Sequence, residues 1–518
     1  MEGRMASVGI IGGGLSGLVA AKTFLRGGFD VTVFEKEDEV GGVWARSRRY
    51  PGLQTQNARD TYAFSDFPMP SHYPEWPAGA EVQAYLSRYA DHFGVTRHVR
   101  LRTQVDQVRR RDGGGFAVDT RPVGAPESER KTHAFDQVIL SSGLFSLPHI
   151  PEAPGREAFE ANGGVVLHTT AFHDTSLLRG KRVVVVGFSK SACDVAALSV
   201  EPAREVTLVH RSVGWKAPRF LFGVVPTKYL LLNRFTEMFF PYPGAEGFER
   251  ALHERASGFV AQYWGGVMAA LDMDLGLSKS GLRPEMPLSG VGCSLNMTPP
   301  GFYEAAQRGT LKLARGEIAR FHEGAVETSQ GKRIPADVVI FGTGFRQEFP
   351  FLDPSLRRVV QDEDGTFRLY RGLYHPDVPG LGFCGFVNSL YSQLTSEVGA
   401  RWLCELFLGR MKLPPREEVI ARIDEWIAYR KRERPDAFTA GACVVPWNFH
   451  YIDDLCRDMG ARTRRLPQNP FREFLLPVDP SLYADLEEEL DTRARQARDR
   501  DEACTTPETS RSSSNAFS

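Results

Sequence analysis

The sequence contains few cysteines, and none of them belongs to a Cys-x-x-Cys pair. Seven are scattered over 518 residues: Cys193, Cys293, Cys384, Cys404, Cys443, Cys456 and Cys504. This spacing excludes a zinc ribbon and the redox-active dithiol of a disulfide reductase. It is also too sparse for a disulfide framework, so we expect a protein of a reducing compartment, the cytoplasm.

The sequence also lacks an excess of charge and a long apolar run. Lys and Arg number 63 against 64 Asp and Glu, which leaves no overall field to attract nucleic acid or an anionic membrane. Charged residues interrupt the most apolar stretch, residues 220–242, and no run approaches the roughly 18 apolar residues of a transmembrane helix. A signal peptide requires an apolar run near the N-terminus, and no such run precedes the first glycine turn. We expect a soluble protein with no nucleic-acid partner and no membrane anchor.

What is present begins with a strand, a glycine turn, a helix and a second strand in residues 8–36. The turn is Gly12-x-Gly14-x-x-Gly17, and Glu35 closes the second strand. Gly12 permits the tight turn, Gly14 lets the backbone approach a pyrophosphate, and Gly17 lets helix and strand pack closely. The helix N-terminus faces the phosphates and Glu35 the ribose hydroxyls. The pattern predicts a dinucleotide site; a plain turn between strand and helix is the alternative.

A second copy of this pattern occupies residues 181–212. The turn is Gly187-x-Ser189-x-x-Ala192, and 23 positions separate Gly187 from His210, as they separate Gly12 from Glu35 in the first copy. His210 therefore stands in the second copy where Glu35 stands in the first. The sequence contains an internal repeat, which predicts a second nucleotide module.

The end of this second module favours NADPH over NADH. His210 is followed by Arg211, so no carboxylate repels a ribose phosphate and a guanidinium is available to pair with it. Lys216 and Arg219 are rival phosphate partners. The alternative is that Arg211 is a solvated charge at a strand end.

A third duplication sets the domain limits. Residues 136–143 and 337–344 both run from Asp through an apolar strand to Gly. We predict an α/β fold with two Rossmann-like dinucleotide-binding domains. In chain order, we expect residues 1–150 to form the first part of the first dinucleotide-binding domain, 151–345 the second, NADPH-binding domain with an inserted helical region at about 213–300, 346–470 a return segment completing the first domain, and 471–518 a charged helix and a disordered tail.

Together these motifs resemble the flavin-containing monooxygenases, the class B flavoproteins with two dinucleotide-binding domains, over roughly residues 8–460. The resemblance rests on the glycine turns and on four further segments: residues 40–44 (VGGVW), 59–68 (RDTYAFSDFP), 164–172 (GVVLHTTAF) and 341–345 (FGTGF). They are similar to the family's FAD fingerprint, its Phe- and Pro-rich segment, the tail of its signature and its second linker.

The sequence departs from the family pattern at several positions. Phe159 stands too far from Gly164 for an intact Phe-x-Gly start of the signature, and Phe172 in place of Trp argues against the typical Baeyer–Villiger subgroup. Ser189 and Ala192 replace glycines of the second turn, which predicts weaker or differently posed NADPH binding.

The resemblance implies that NADPH reduces FAD, that a flavin hydroperoxide forms with O2, and that one oxygen atom passes to a small organic substrate. The implied FAD-binding residues are Gly12, Gly14, Leu15, Ser16, Gly17, Glu35, Lys36, Val43, Trp44 and Val105. Those implied for NADPH are Gly187, Ser189, Lys190, Ser191, Ala192 and Arg211. The family's active-site amide falls on Gln56 or Asn57, and no metal is required. N- or S-oxygenation and Baeyer–Villiger oxidation stay open, as does the oligomeric state.

Two other functions remain open from the sequence. One is an NADPH-dependent flavin reductase or oxidase that releases hydrogen peroxide. The other is a flavoprotein subunit without turnover. The aromatic stretch 220–243 and Trp264 form either the wall of a substrate pocket or the core of the inserted helices, and His168 either orients a linker against the nucleotide or is a satisfied core residue.

Overall fold

The computed structural model describes residues 5–290, 295–433 and 443–505, without the side chains of 500–505. The described strands are β1 (Ser7–Ile11), β2 (Asp30–Phe34), β3 (Val99–Arg100), β4 (Thr103–Arg110), β5 (Phe116–Pro122), β6 (Lys131–Phe135), β7 (Gln137–Leu140), β8 (Leu147–Pro148), β9 (Val165–His168), β10 (Arg182–Val186), β11 (Glu205–His210), β12 (Lys216–Ala217), β13 (Phe220–Leu221), β14 (Val225–Pro226), β15 (Asn296–Met297), β16 (Leu311–Arg315), β17 (Ile318–His322), β18 (Ala325–Thr328), β19 (Arg333–Pro335), β20 (Val338–Phe341), β21 (Phe345–Arg346) and β22 (Leu381–Phe383).

The described helices lie between the strands of both main sheets, in the insertion after β14 and in the last part of the chain. They are α1 (Leu15–Arg26), α2 (Gly79–His92), α3 (Arg156–Ala161), α4 (Lys190–Ser199), α5 (Lys228–Leu231), α6 (Arg234–Glu237), α7 (Gly247–Arg255), α8 (Ser257–Leu275), α9 (Leu277–Ser280), α10 (Phe302–Arg308), α11 (Pro354–Val360), α12 (Ser392–Phe407), α13 (Arg416–Glu433), α14 (Asn448–Met459), α15 (Pro470–Leu475) and α16 (Leu486–Thr505). None of the described helices is long and apolar enough to cross a membrane.

Two five-stranded parallel sheets form the framework. The first has the order β22-β7-β1-β2-β3, and the second β16-β11-β10-β20-β9. Strands β1, β7, β10 and β20 are apolar and almost wholly buried, because both faces of each parallel sheet are covered. Helices pack on one face, and the antiparallel strands β4–β6 or β17–β19 pack on the other. The predicted α/β fold with two Rossmann-like sheets is confirmed.

The internal repeat extends to the strand pairing. β1 lies between β2 and β7, and β10 lies between β11 and β20 in the same parallel arrangement. Each module also inserts a three-stranded antiparallel sheet before its last strand: β4-β5-β6 in the first and β17-β18-β19 in the second. In both, an Asp at the start of the last strand, Asp136 or Asp337, accepts a hydrogen bond from the backbone at the start of the first, Ser7 or Arg182.

The later part of the chain contributes to the first sheet. β22 pairs with β7 at the sheet edge, and α12 packs along α1. The parallel pairing of Leu381 with Val138 and of Phe383 with Leu140 joins segments more than 200 residues apart. The first sheet is therefore built from both ends of the chain.

The helices inserted after β14 extend the core of the second module. The rings of Phe239 and Tyr263 stack with centroids 3.9 Å apart, and those of Phe240 and Trp264 lie 4.3 Å apart. Trp264 is buried and donates to the Phe239 carbonyl at 3.0 Å. Trp264 therefore belongs to the core that the insertion shares with the second module, whereas Leu231 and Leu232 line a small cavity.

The described cysteines are mostly buried thiols. Cys193, Cys384, Cys404 and Cys456 are free. Cys443 is disulfide-bonded, which the sequence did not predict.

Candidate active site

Both glycine turns open into one cleft of about 2400 Å³. Ligands of parallel α/β sheets bind at the carboxyl ends of the strands, and this is where the turns follow β1 and β10. Nearly all residues proposed from the sequence line the cleft: Gly12, Gly14, Leu15, Ser16, Glu35, Lys36, Val43, Trp44, Gln56, Asn57, Val105, Gly187, Ser189, Lys190, Ser191 and Arg211. Gly17 and Ala192 do not line it; they pack behind the turns.

The first turn leaves a cradle that side chains would fill. Gly12 has φ +110°, and a Cβ there would lie 2.5 Å from the Ser141 carbonyl oxygen. A Cβ on Gly17 would lie 1.8 Å from the Gly12 carbonyl oxygen, which is impossible without moving α1. The N-cap residue of α1, Gly14, has no side chain to cap the helix, so its first N–H groups are available to a phosphate.

Glu35 stands buried at the end of β2. Its carboxylate accepts hydrogen bonds from Gly13 N at 2.6 Å and from Glu37 N at 2.8 Å. Burial raises the pKa of Glu35, and the two backbone N–H groups oppose this rise. The carboxylate is thus held in place beside the glycine turn, where a ribose would lie.

The second turn repeats the cradle with other side chains. Gly187 has φ +119°, and a Cβ there would lie 2.5 Å from the Gly342 carbonyl oxygen. Ser189 precedes α4 without capping it, because its hydroxyl donates to that same carbonyl at 3.0 Å. The backbone N–H groups at the start of α4 therefore stay available, as in the first turn.

Lys190 is engaged by a carboxylate of its own helix. Its ammonium group donates to Asp194, which also accepts from the Tyr50 hydroxyl at 2.6 Å. Burial and the charge of Asp194 raise the pKa of Tyr50 far above its ordinary value, so the phenol keeps its proton. This contact joins α4 to the segment after the first turn.

Arg211 lies at the rim of the cleft beyond β11. Its side chain is 81% exposed, and its pair with Glu317 at 3.1 Å is a surface ion pair of small energy. Arg211 is consequently free to turn toward a ligand.

The two rivals of Arg211 point elsewhere. The Lys216 ammonium group is buried and donates to the Phe188 carbonyl at 3.0 Å. Arg219 donates to Gln54 and stacks over Trp76. Neither lines the cleft.

Sequence reasoning missed Arg315, which lines the cleft beside Arg211. Arg315 ends β16 and pairs in parallel register with His210 on β11. Burial and the charge of Arg315 lower the pKa of His210. The strand order places the two guanidinium groups at one edge of the sheet, and no local motif could have indicated this.

Gln56 and Asn57 both line the cleft, but they are held differently. Asn57 is 3% exposed and its amide N–H donates to the Leu390 carbonyl, whereas the Gln56 side-chain oxygen accepts from Met297 N at 3.2 Å. Both amides therefore connect the first module to distant segments of the chain.

His168 is bound to the second linker. Its Nδ1 accepts from Thr170 N at 3.2 Å, so its Nε2–H donates to the Gly344 carbonyl at 3.1 Å. Burial lowers its pKa to about 4, which keeps the ring neutral. The ring also lies edge-on to Phe345. His168 therefore orients the linker, and both of its ring nitrogens have hydrogen-bond partners.

Known proteins share this sequence pattern and fold. The family model "Flavin-binding monooxygenase-like" matches residues 5–255 and 306–482. A relative from Arabidopsis thaliana, "Probable flavin-containing monooxygenase 1", is 30% identical, with 90% of this chain and 93% of the relative covered.

Solved structures share the fold at lower identity. A cyclohexanone monooxygenase with bound ε-caprolactone has a TM-score of 0.64 at 18% identity, covering 89% of this chain and 99% of its own. S-allyl-L-cysteine S-oxygenase from Allium sativum has a TM-score of 0.60 at 20% identity, covering 96% and 99%.

The chain belongs to the flavin-binding monooxygenase-like family. It is a flavin-dependent monooxygenase, an oxidoreductase, and its cofactors are FAD and NADPH.

Proposed function

We propose that this enzyme uses NADPH and O2 to oxygenate a small organic molecule, at a soft nitrogen or sulfur or by insertion beside a ketone. The observation that carries the proposal is the single cleft that both glycine turns and both candidate amides line. Two nucleotides bound at these turns would meet in one cleft, as hydride transfer between them requires.

The donor set fits both cofactors. We propose that FAD lies on the first turn, with its phosphates at α1 and its ribose at Glu35, and that Leu15, Ser16, Lys36, Val43, Trp44 and Val105 complete its site. We propose that NADPH lies on the second turn, with Ser189, Lys190 and Ser191 at its pyrophosphate and Arg211 and Arg315 at its 2′-phosphate. The same arrangement supports the domain division proposed from the sequence.

Bound FAD supplies the redox chemistry that no side chain can supply. The chain binds the reactants, orients them and excludes water. Gln56 and Asn57 are the groups that we propose to hydrogen-bond the reacting region, since amides donate and accept without changing protonation state. For a sulfide, the balanced reaction consumes the sulfide, O2, NADPH and one proton and yields the sulfoxide, water and NADP+.

Anaerobic reduction tests this proposal. The purified yellow protein is mixed with NADPH or NADH without oxygen, the loss of flavin colour is followed, and air is then admitted with and without a sulfide. We expect faster bleaching by NADPH, and a sulfoxide equal in amount to the NADPH consumed. Stoichiometric hydrogen peroxide in the presence of every substrate tried would favour an oxidase. Absence of bleaching by both nucleotides would contradict any enzymatic proposal.

A further inference from the structure

A small side cavity adjoins the cleft. It has a volume of about 30 Å³, and its walls include Trp76, Arg219, Leu231, Met297 and Leu390. The walls are mainly apolar, and Arg219 brings a guanidinium group into them.

The side cavity and the cleft share part of their lining. Gln56, Asn57 and Asn296 line both. A small molecule with a chain of a few bonds would thus extend from the side cavity, past Gln56 and Asn57, into the cleft.

Among the residues that the structure describes, no carboxylate contacts the guanidinium group of Arg219. Its Nη2 donates to the neutral Gln54 side chain, and its Cζ lies 5.1 Å from the centre of the Trp76 ring. Its Nε is buried and has no hydrogen-bond partner in the described part of the chain. An unpaired donor of this kind costs free energy that an anionic ligand would recover.

The neighbouring charges are already matched. Lys228 also lines the side cavity, but its ammonium group lies 2.6 Å from Asp60 and 3.9 Å from Glu75. Asp194 is held by Lys190. Burial lowers the pKa of Arg219, against the weaker attraction of Asp194 and Glu75. Arg219 is therefore the cation of the side cavity that lacks a contacting anion among the described residues.

We propose that the side cavity binds a carboxylate of the substrate through Arg219. The inference rests on the proposed function: the substrate is a small organic acid whose oxidisable nitrogen or sulfur lies a few bonds from the carboxylate. About 10–15 Å³ of such volume holds one water, so the cavity accommodates roughly the two oxygens of a carboxylate. The remaining atoms then lie along Gln56 and Asn57, with the oxidisable atom in the cleft.

Three probes of matched length test the charge preference: 3-(methylthio)propanoate, 3-(methylthio)propan-1-ol and 3-(methylthio)propan-1-amine. Their binding to the oxidised holoenzyme is measured by titration calorimetry, and their oxygenation by sulfoxide formation. A charge-assisted hydrogen bond predicts that the acid binds about tenfold to hundredfold more tightly than the alcohol, and that the amine binds least. The binding measurement needs no turnover, so it is independent of whether the proposed reaction occurs.

Two variants locate the effect. R219Q is expected to reduce the preference for the acid over the alcohol to about one, and R219K to keep part of it. R333A, an exposed arginine of β19 remote from both cavities, is the control that keeps the full preference. Equal binding of acid and alcohol by the native enzyme, tighter binding of the amine, or an undiminished preference in R219Q would each overturn the proposal.

Discussion

Ala192 at the start of α4 approaches Gly342 after β20 so closely that no side chain fits at position 342. A Cβ on Gly342 would lie 2.6 Å from the Cβ of Ala192 and 2.8 Å from its backbone nitrogen. At the matching contact of the first module the small residue is on the helix instead, where Gly17 faces Ser141. Each module therefore has a glycine where the helix meets the strand end. In the first module this glycine lies on the helix, and in the second it follows the strand.

Substitution G342A is expected to destabilise the protein by about 1–3 kcal/mol, because the added methyl group must displace α4. The free energy of unfolding in urea and the KM for NADPH both report the displacement. A192G does not rescue G342A, since the backbone nitrogen of residue 192 stays in the way. G266A inside α8 is the control: no described atom outside the adjoining backbone of α8 lies within 4 Å of its new methyl group, and it stabilises by up to about 1 kcal/mol. Equal unfolding midpoints for G342A and the native protein would refute the packing argument.

Arg211 and Arg315 are expected to set the preference for NADPH. Substitution R211A or R315A removes a guanidinium group from the proposed 2′-phosphate site. We expect the KM for NADPH to rise about tenfold to hundredfold in each, because charge-assisted hydrogen bonds contribute about 1.5–3 kcal/mol. The KM for NADH, which lacks this phosphate, stays the same, as do both constants in the control R333A. Equal increases for both nucleotides would show that the arginines act elsewhere.

Gln56 and Asn57 are expected to differ in their structural roles. Both Q56A and N57A should raise the fraction of NADPH electrons that appear as hydrogen peroxide, measured as the ratio of peroxide to NADPH. N57A should also lose about 1–3 kcal/mol of stability, because the buried Asn57 side chain is truncated and the Leu390 carbonyl loses its donor. Q330A, at an exposed turn, is the amide control. If peroxide release stays at the native level in both variants, neither amide is catalytic.

His450 is expected to make stability depend on pH. Its ring nitrogens lie 2.6 Å from Glu237 and 2.9 Å from Glu249, and Tyr242 packs against its ring. Burial disfavours the charged ring, but the two carboxylates outweigh burial and raise the pKa of His450 to about 10. The folded state therefore holds a proton that the unfolded chain releases near pH 6.5.

This stabilisation is complete below about pH 6.5 and is lost as the pH rises toward about 10. H450Q should cost about 3–5 kcal/mol near neutral pH, because the buried carboxylate of Glu237 and the half-buried one of Glu249 lose their cation. The difference in melting temperature between native protein and H450Q should shrink steadily between pH 7 and 10. A constant difference over this range would contradict the protonated state of His450.

The sequence by itself determined the two nucleotide modules. Each is a local pattern of strand, turn and helix within about 30 residues, and the special backbone of Gly12 and Gly187 admits few other residues. The carboxylate of Glu35 and its replacement by His210, followed by Arg211, could be predicted because these residues end the same short unit in each module. The family resemblance rests on these segments too.

Only the tertiary structure decided which distant segments meet. The strand order places Arg315 beside His210, and β22 reaches the first sheet from the other end of the chain. Phe159 packs its ring onto Gly164 although inserted residues separate them in sequence. Arg219, a rival phosphate ligand by sequence, lines the side cavity instead. Such contacts depend on the packing of whole modules and insertions, in which burial and charge pairing join residues hundreds of positions apart. They produce no periodic pattern in the sequence, so the sequence does not predict them.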